Sequence, residues 1–334
     1  MTTALEEKTI EVPQSESYAN RETWLEARQS TIGATDVAVI LGLSHYKSAY
    51  TLWAEKTGRL TPQKENLAMK LGLMLEPIVA DLYRETTGRE PLVLEDYQRH
   101  SRNATPWLCA TPDRLLYYYE GKIKCRMPLE LKTSGNDAAW KEGIPMAYQA
   151  QVQIQMHCMM ASKGALAVLI GNREFRHWDL ERNDRFLKAA LPKIEEFYDR
   201  IQNDDPPSVD GSNSTAETLT LLHPKDNGDT RIMPSWLPEV DARRDELKEQ
   251  IAALEDERKE LDARIKEAIG DCTLGVYDNI KYSYKTQTRK AHIEVPFERE
   301  SALIEQGIEY EVTGGAEFRV LRRSTAKTTA KGAK

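Results

Sequence analysis

Apolar side chains recur at helical spacing through the first part of the chain. Four segments show this pattern, and each is flanked by residues typical of helix ends. The first two are centred on Trp24–Leu25 and on Val37–Leu41, and the other two cover about 49–56 and about 65–88. Thr57–Gly58 and Gly88 follow the last two segments, as C-terminal caps do. The region before residue 90 is therefore predicted to be helical.

The middle of the chain changes to short apolar runs separated by turn residues. These runs predict strands at 91–94, 107–110, 115–119 and 128–132. We then predict a helix at about 145–160, a buried strand at 165–171 with a neighbour at 174–180, and a helix at about 184–201. This alternation of helices and strands indicates a mixed α/β core.

The pattern changes again towards the C-terminus. A long charged helix is predicted at 237–269, where Leu247, Ile251, Leu254, Leu261 and Ile265 follow a 3-4 spacing. Arg258 occupies the seam between Leu254 and Leu261, which favours a packing helix or short helical hairpin over a long coiled coil. Residues 274–295 alternate like a β-hairpin around Asp278–Asn279.

These changes in pattern predict a division of the chain into five regions. They are a flexible arm at 1–20, a core at 21–205, a turn-rich linker at 206–236, an accessory helix and hairpin at 237–318, and a basic tail at 319–334.

Composition excludes several classes of protein. Of the 334 residues 40% are hydrophobic and 30% are charged, and no apolar run approaches the length of about 18 needed to cross a bilayer. The N-terminal residues lack the apolar region of a secretory signal, so we expect a cytoplasmic protein. The four cysteines contain no closely spaced pair, which argues against a zinc finger or iron–sulfur cluster. A net charge of −7 does not exclude a local basic groove for nucleic acid.

Asp113, Glu130 and Lys132 form the most informative chemical pattern. Alternation along a strand directs Glu130 and Lys132 to one face and the flanking leucines to the other. If Gly121–Lys122 is a two-residue turn, antiparallel partners have numbers that add up to 243, and Asp113 then lies opposite Glu130. Two carboxylates beside an ammonium suit Mg²⁺ and phosphodiester chemistry. The alternative is an exposed ion pair on a hairpin.

Four sequence blocks raise the nuclease interpretation above that alternative. The pattern Pro-Asp, then Glu-x-Lys, is the signature of the restriction-endonuclease-like (PD-(D/E)xK) nucleases, and the chain resembles their lambda-exonuclease and YqaJ-type viral recombinase family over about 20–200. The matching blocks, in family order, are 28–36, 72–77, 110–113 with 129–132, and 150–153. The resemblance implies an α/β restriction-endonuclease-like core with a C-terminal helix and hairpin extension.

The resemblance also implies roles for individual residues. Asp113, Glu130, the Leu131 carbonyl and Glu76 would hold the metal, which would be Mg²⁺ with Mn²⁺ as a substitute. Lys132 would assist the attacking water, and Gln151 would orient the lysine or the nucleophile. The two residues expected to bind a DNA 5′-phosphate are Arg28 and Thr35, where threonine replaces the usual serine.

Simpler interpretations exist for several of these side chains. Glu76 also fits the solvent face of an amphipathic helix, and Arg28 also fits an ion pair with Asp36. Apart from Gln151, the glutamines of the 145–160 helix are interpreted as its polar surface; they are Gln149, Gln153 and Gln155.

The implied function is a phage-type deoxyribonuclease of the bacterial cytoplasm. It would digest double-stranded DNA ends 5′→3′, leave a 3′ strand for a single-strand annealing protein, and form a homotrimer. Two alternatives stay open, a structure-specific or nicking endonuclease on the same core and a non-catalytic DNA-binding or scaffold protein.

Overall fold

The computed structural model describes residues 13–61, 66–94, 98–171, 173–289 and 316–325. The chain divides into two compact units, with the boundary after Gly228. No helix within the described ranges is long and apolar enough to cross a membrane.

The first unit contains both helices and strands. Its helices are α1 (Arg21–Gln29), α2 (Asp36–Ile40), α3 (Ala49–Lys56), α4 (Leu67–Thr87), a 3₁₀ helix (Asp137–Trp140), α5 (Met146–Met159), α6 (Asp184–Gln202) and α7 (Asn213–Leu222). Its strands are β1 (Gln14–Ser17), β2 (Ile32–Gly33), β3 (Gln98–Arg102), β4 (Thr105–Ala110), β5 (Arg114–Glu120), β6 (Ile123–Ser134), β7 (Lys163–Ile170) and β8 (Glu174–Glu181). The mixed α/β class predicted from the sequence is confirmed.

Two four-stranded sheets organise this unit. One has the order β5-β6-β7-β8, in which only the β6–β7 pair is parallel. The other has the order β1-β3-β4-β2, in which β2 runs parallel to β4. The first sheet is mixed and carries the predicted Glu-x-Lys strand, β6, in an interior position.

Helices cover both faces of the β5–β8 sheet. On one face, Val79 and Tyr83 of α4 pack in a buried cluster with Leu129 and Leu131 of β6. On the other face, α5 places Val152 and Met156 against apolar residues of β5 and β7. Strand alternation therefore directs Leu129 and Leu131 towards α4 and leaves Glu130 and Lys132 on the α5 side.

Gly164 lets α5 approach β7 closely. A Cβ atom added to this glycine would lie 2.9 Å from Val152 Cγ1 and 3.1 Å from Met156 Cγ. Both distances are shorter than ordinary carbon contacts, so the helix lies against bare backbone at this position.

The second unit consists of a long helix and a small sheet. α8 (Leu237–Ile269) is followed by β9 (Leu274–Tyr277), β10 (Ile280–Arg289) and β11 (Ala316–Thr325), and β10 pairs with both other strands. The predicted helix bounds and the hairpin turn at Asp278 are confirmed, while 290–295 lie outside the described residues. The α8 helix is continuous, so the helical-hairpin alternative is wrong, and Leu247, Ile251, Leu254 and Leu261 are exposed.

Other differences from the sequence predictions have physical reasons. Residues 91–94 form a single bridge, between Leu92 and Leu115, instead of a strand. β1 and β3 were not predicted, because these polar strands pair with each other through their backbones without an apolar pattern. β1 lies within the expected arm at 1–20, of which residues 1–12 are outside the described ranges. Likewise, 319–325 of the expected basic tail belong to β11, and 326–334 are outside.

The expected linker at 206–236 contains the α7 helix. Its Thr215 and Thr218 are buried, and their hydroxyls bond to Ser48 Oγ (2.8 Å) and Thr51 Oγ1 (2.7 Å) at the start of α3. The turn-rich composition concealed this helix because its contacts are hydroxyl bonds rather than a broad apolar face.

Candidate active site

The register of β5 and β6 brings Asp113 next to Glu130. Paired residues run from Arg114 with Leu129 to Glu120 with Ile123, and each pair adds up to 243 as predicted. Asp113 immediately precedes the first pair, and its Oδ2 accepts the N–H of Leu131 at 2.7 Å. The predicted juxtaposition of the two carboxylates with an ammonium is confirmed in its geometry.

Glu130 is buried and is held by three side-chain donors. Lys132 Nζ and Gln151 Nε2 both donate to Glu130 Oε1, the latter at 2.5 Å. Gln155 Nε2 donates to the other oxygen, Oε2, also at 2.5 Å. Glu130 is only 2% exposed, so these bonds replace the water that a carboxylate would otherwise bind.

Burial and like charge shape the protonation of the site. The pKa of Asp113 lies well above its ordinary value of 3.8, first because burial removes water from the carboxylate and second because Glu130 is negative. Desolvation lowers the pKa of Lys132, but the charges of Glu130 and Asp113 outweigh it and raise that pKa. Lys132 is therefore a cation at neutral pH, suited to stabilising negative charge on phosphate.

Glu76 reaches the site through an arginine. It projects from α4, and its Oε1 accepts a bond from Arg114 Nη1, which also donates to the carbonyl of Asp113 at 2.6 Å. Arg114 thus ties Glu76 to the backbone of Asp113. Whether Glu76 also contacts a metal stays a prediction.

The donor atoms of this site fit a hard divalent cation. Asp113 and Glu130 supply carboxylate oxygens, and Leu131, which follows Glu130 directly in the chain, adds a backbone carbonyl. Within the described ranges, no three carboxylate, histidine or cysteine side chains converge as a ready-made metal cluster. Mg²⁺ suits such a set because it commonly binds one or two carboxylates and retains several waters.

The two predicted phosphate-binding residues lie together around Gly33. An added Cβ on Gly33 would lie 3.6 Å from Thr35 Oγ1 and 3.7 Å from Arg28 Nη2. Asp36, the alternative partner of Arg28, pairs instead with Lys56 at 2.8 Å. Burial raises the pKa of Asp36, but the charges of Lys56 and then Arg28 outweigh it and lower that pKa below its ordinary value. Lys56, missed by sequence analysis, adds a second cation.

Strand pairing places Arg28, Thr35 and Lys56, here called the Gly33 cluster, beside the chain segment that leads to Asp113. β2 pairs with β4 through Ile32–Leu108 and Gly33–Cys109, and Ala34 N–H donates to the Cys109 carbonyl at 2.9 Å. Asp113 follows Cys109 by only four positions in the chain. The fold therefore joins the two sets of predicted residues through one short segment.

The family comparison matches the segment that contains all of these side chains. Residues 23–162 match the family model of the YqaJ-like viral recombinase domain. This segment is therefore similar to the YqaJ-like viral recombinase domain. The resemblance predicted from the four sequence blocks is confirmed, and the matched segment includes the carboxylates, Lys132, the α5 glutamines and the Gly33 cluster of Arg28, Thr35 and Lys56.

Similar proteins extend the likeness beyond the recombinase domain. The YqaJ protein of Bacillus subtilis strain 168 is 28% identical over 287 residues, which are 83% of this chain and 87% of that protein. An alkaline exonuclease of Laribacter hongkongensis superimposes with a TM-score of 0.43 and 20% identity, over 55% of this chain and 94% of its own. A phage-related exonuclease of Haemophilus somnus 129PT superimposes with a TM-score of 0.40 and 12% identity, over 52% of this chain and 96% of its own.

The remaining glutamines of α5 have separate roles. Gln149 is exposed, as expected for a polar helix surface. Gln153 and Gln155 are buried, so that interpretation is wrong for both: Gln153 bonds to the Glu181 carbonyl and the Asn183 N–H, and Gln155 bonds to Glu130. The i, i+4 spacing of Gln151 and Gln155, which places them on one helix face, was the available signal for the second.

Proposed function

We propose that this chain is a metal-dependent deoxyribonuclease that digests double-stranded DNA from its ends. The observation that carries the proposal is the cluster of Asp113, Glu130 and Lys132 within a segment similar to the YqaJ-like viral recombinase domain. We further propose a restriction-endonuclease-like core, in keeping with the mixed sheet that holds the cluster.

The residues of the cluster have different proposed roles in catalysis. Asp113, Glu130 and the Leu131 carbonyl would bind Mg²⁺ or Mn²⁺, with Glu76 as a further acidic contact. The chemistry supplied by such a bound cation is polarisation of the phosphodiester and a lowered pKa of water. Lys132 would stabilise the negative charge that develops on phosphate, and Gln151 would keep Glu130 and Lys132 in register.

The Gly33 cluster would make the enzyme select DNA ends. A terminal 5′-phosphate carries more charge and more acceptor oxygens than an internal diester, and arginine suits its recognition. Arg28 and Thr35, joined by Lys56, would hold that phosphate. Digestion would then proceed 5′→3′ and leave a 3′ single strand for an annealing protein in recombination.

We also propose a homotrimer that acts in the cytoplasm of a bacterial host. A closed assembly with basic side chains on its inner surface would let a chain of net charge −7 stay on DNA. Within the chain, 21–205 would form the nuclease core, 237–318 the accessory region and 319–334 a basic DNA-binding tail.

Incubation of linear and closed-circular DNA with Mg²⁺ tests the proposed activity. Loss of the linear DNA alone is expected, with release of nucleotides from the 5′ end. Cutting of the circle would instead support an endonuclease, and intact DNA with every divalent ion would support a binding protein. Lys132→Ala should reduce the rate by about 100- to 1000-fold while DNA binding is retained.

A further inference from the structure

Gln151 and Gln155 hold opposite oxygens of the same carboxylate. Their side-chain nitrogens lie 2.5 Å from Glu130 Oε1 and Oε2, respectively. Gln151 shares Oε1 with Lys132, whereas Gln155 is the only described side-chain donor to Oε2. With both oxygens bound, the carboxylate of Glu130 is fixed against rotation about its last side-chain bond.

Gln155 makes this bond in an orientation that leaves its own side-chain carbonyl oxygen without a hydrogen bond from the described residues. The residue is fully buried, and among the described residues no donor reaches its Oε1. Gln153, two positions earlier, is also buried but uses both ends of its amide, to Glu181 and Asn183. A buried acceptor without a partner is unfavourable, so Gln155 is oriented for Glu130 rather than for its own hydrogen bonding.

The orientation of the Gln155 amide is set by charge. Turning the amide over would bring its carbonyl oxygen against the negative Oε2 of Glu130, while the nitrogen would lose a charge-assisted bond. The amide is therefore oriented with its nitrogen towards Glu130 Oε2. It leaves Oε1 to Lys132 and Gln151.

We propose that Gln155 is a positioning residue that fixes the Glu130 carboxylate for binding a divalent cation. This inference rests on the proposed metal-dependent function. Outer residues that hold a metal ligand commonly contribute 10- to 100-fold to metal affinity, because a free ligand must be ordered when the ion binds. Gln155 does this ordering in advance, through the oxygen that Lys132 does not contact.

Direct metal binding in the full-length protein tests this role. Gln155→Met removes the donor while keeping a side chain of similar length, and should raise the Mn²⁺ dissociation constant about tenfold in calorimetry without DNA. The Mg²⁺ concentration for half-maximal cleavage should rise by a similar factor, while the rate at saturating Mg²⁺ stays within about threefold of the wild type. Gln155→Asn, which keeps a buried amide but shortens its reach, should show the same loss.

Gln153→Met is the matched control on the same helix. It also removes a buried amide, so it should lower the melting temperature, yet it should leave the Mn²⁺ dissociation constant unchanged. Folded Gln155→Met and Gln155→Asn proteins with wild-type Mn²⁺ affinity would overturn the positioning role alone. A wild type that binds no Mn²⁺ and cleaves no DNA would overturn the proposed function, and this inference with it.

Discussion

Asp113 is needed for the proposed chemistry but lowers the stability of the fold. Its pKa is raised in the folded protein, mainly by burial and then by the charge of Glu130. A carboxyl with a raised folded pKa favours folding when protonated, and that contribution is lost as the pH rises through the folded pKa. Without metal, Asp113 therefore destabilises the fold at every pH above the pKa of an unfolded aspartate.

Asp113→Asn should abolish cleavage and yet raise the melting temperature in EDTA at pH 8. The neutral amide keeps an oxygen for the Leu131 N–H and removes the repulsion with Glu130. The gain should shrink as the pH falls and be lost below about pH 4, the ordinary pKa of an unfolded aspartate. Thermal denaturation from pH 4 to 8 measures this; a variant less stable than the wild type at every pH contradicts it.

End recognition is a second property that single residues decide. If Arg28 and Thr35 bind the terminal phosphate, the wild type should cleave 5′-phosphorylated ends faster than 5′-hydroxyl ends. Arg28→Ala should remove most of that preference without changing Mn²⁺ affinity. Arg59→Ala is the control, because Arg59 pairs with Asp204. Equal wild-type rates on the two ends would remove the phosphate-binding role.

The sequence predicts the positions of the two carboxylates but not all of the side chains that form hydrogen bonds around them. The pairing of Asp113 with Glu130 follows from simple arithmetic, because a two-residue turn sets the register of an entire hairpin. The bonds from Gln155 to Glu130 and from Arg114 to Glu76 depend on how α4 and α5 dock on the sheet. No local pattern encodes that docking, so these contacts appear only in three dimensions.

At the scale of elements, strong periodicity was the reliable signal. The bounds of α3 and α8 match the sequence predictions because both segments combine regular spacing with clear ends. β1 and β3 escaped prediction because their pairing satisfies backbone groups without an apolar face. α5 shows the opposite problem: nearly all of its second half is buried, including polar residues, so its exposed face could not be identified by polarity.

The α7 helix should contribute to stability although it lies in the expected linker. Thr215→Val removes the hydroxyl that bonds to Ser48 and Asp210, and should lower the free energy of unfolding by about 1–3 kcal/mol. Thr220→Val is the control, since that exposed threonine bonds only within its own helix, to Ala216, and should change stability by less than about 0.5 kcal/mol. Urea denaturation compares them, and hydrogen exchange should accelerate in α3 for Thr215→Val alone. Equal, small effects would mean that α7 is not part of the folded unit.

For the whole molecule, charge and assembly are linked. The chain is acidic, so affinity for DNA would have to come from local placement of cations such as Arg28 and Lys56 near Gly33 and Asp36, and Lys132 beside Glu130. A ring would concentrate such cations around one duplex. We expect light scattering at several concentrations to give three times the chain mass, and a constant single-chain mass would refute the ring.

The absence of a side chain at Gly164 sets the spacing between α5 and β7, and this spacing constrains the proposed metal site. The side chains that close over it, Val152 and Met156, each follow a glutamine that holds Glu130, namely Gln151 and Gln155. Any larger residue at 164 would push Val152 and Met156 away from β7 and displace both glutamines from Glu130. One added methyl group should therefore have the effect of replacing Gln151 and Gln155 together. If the proposed role in recombination is right, revertants of Gly164→Ala from a genetic selection for recombination should carry smaller side chains at Val152 or Met156, and seldom changes in the proposed catalytic residues.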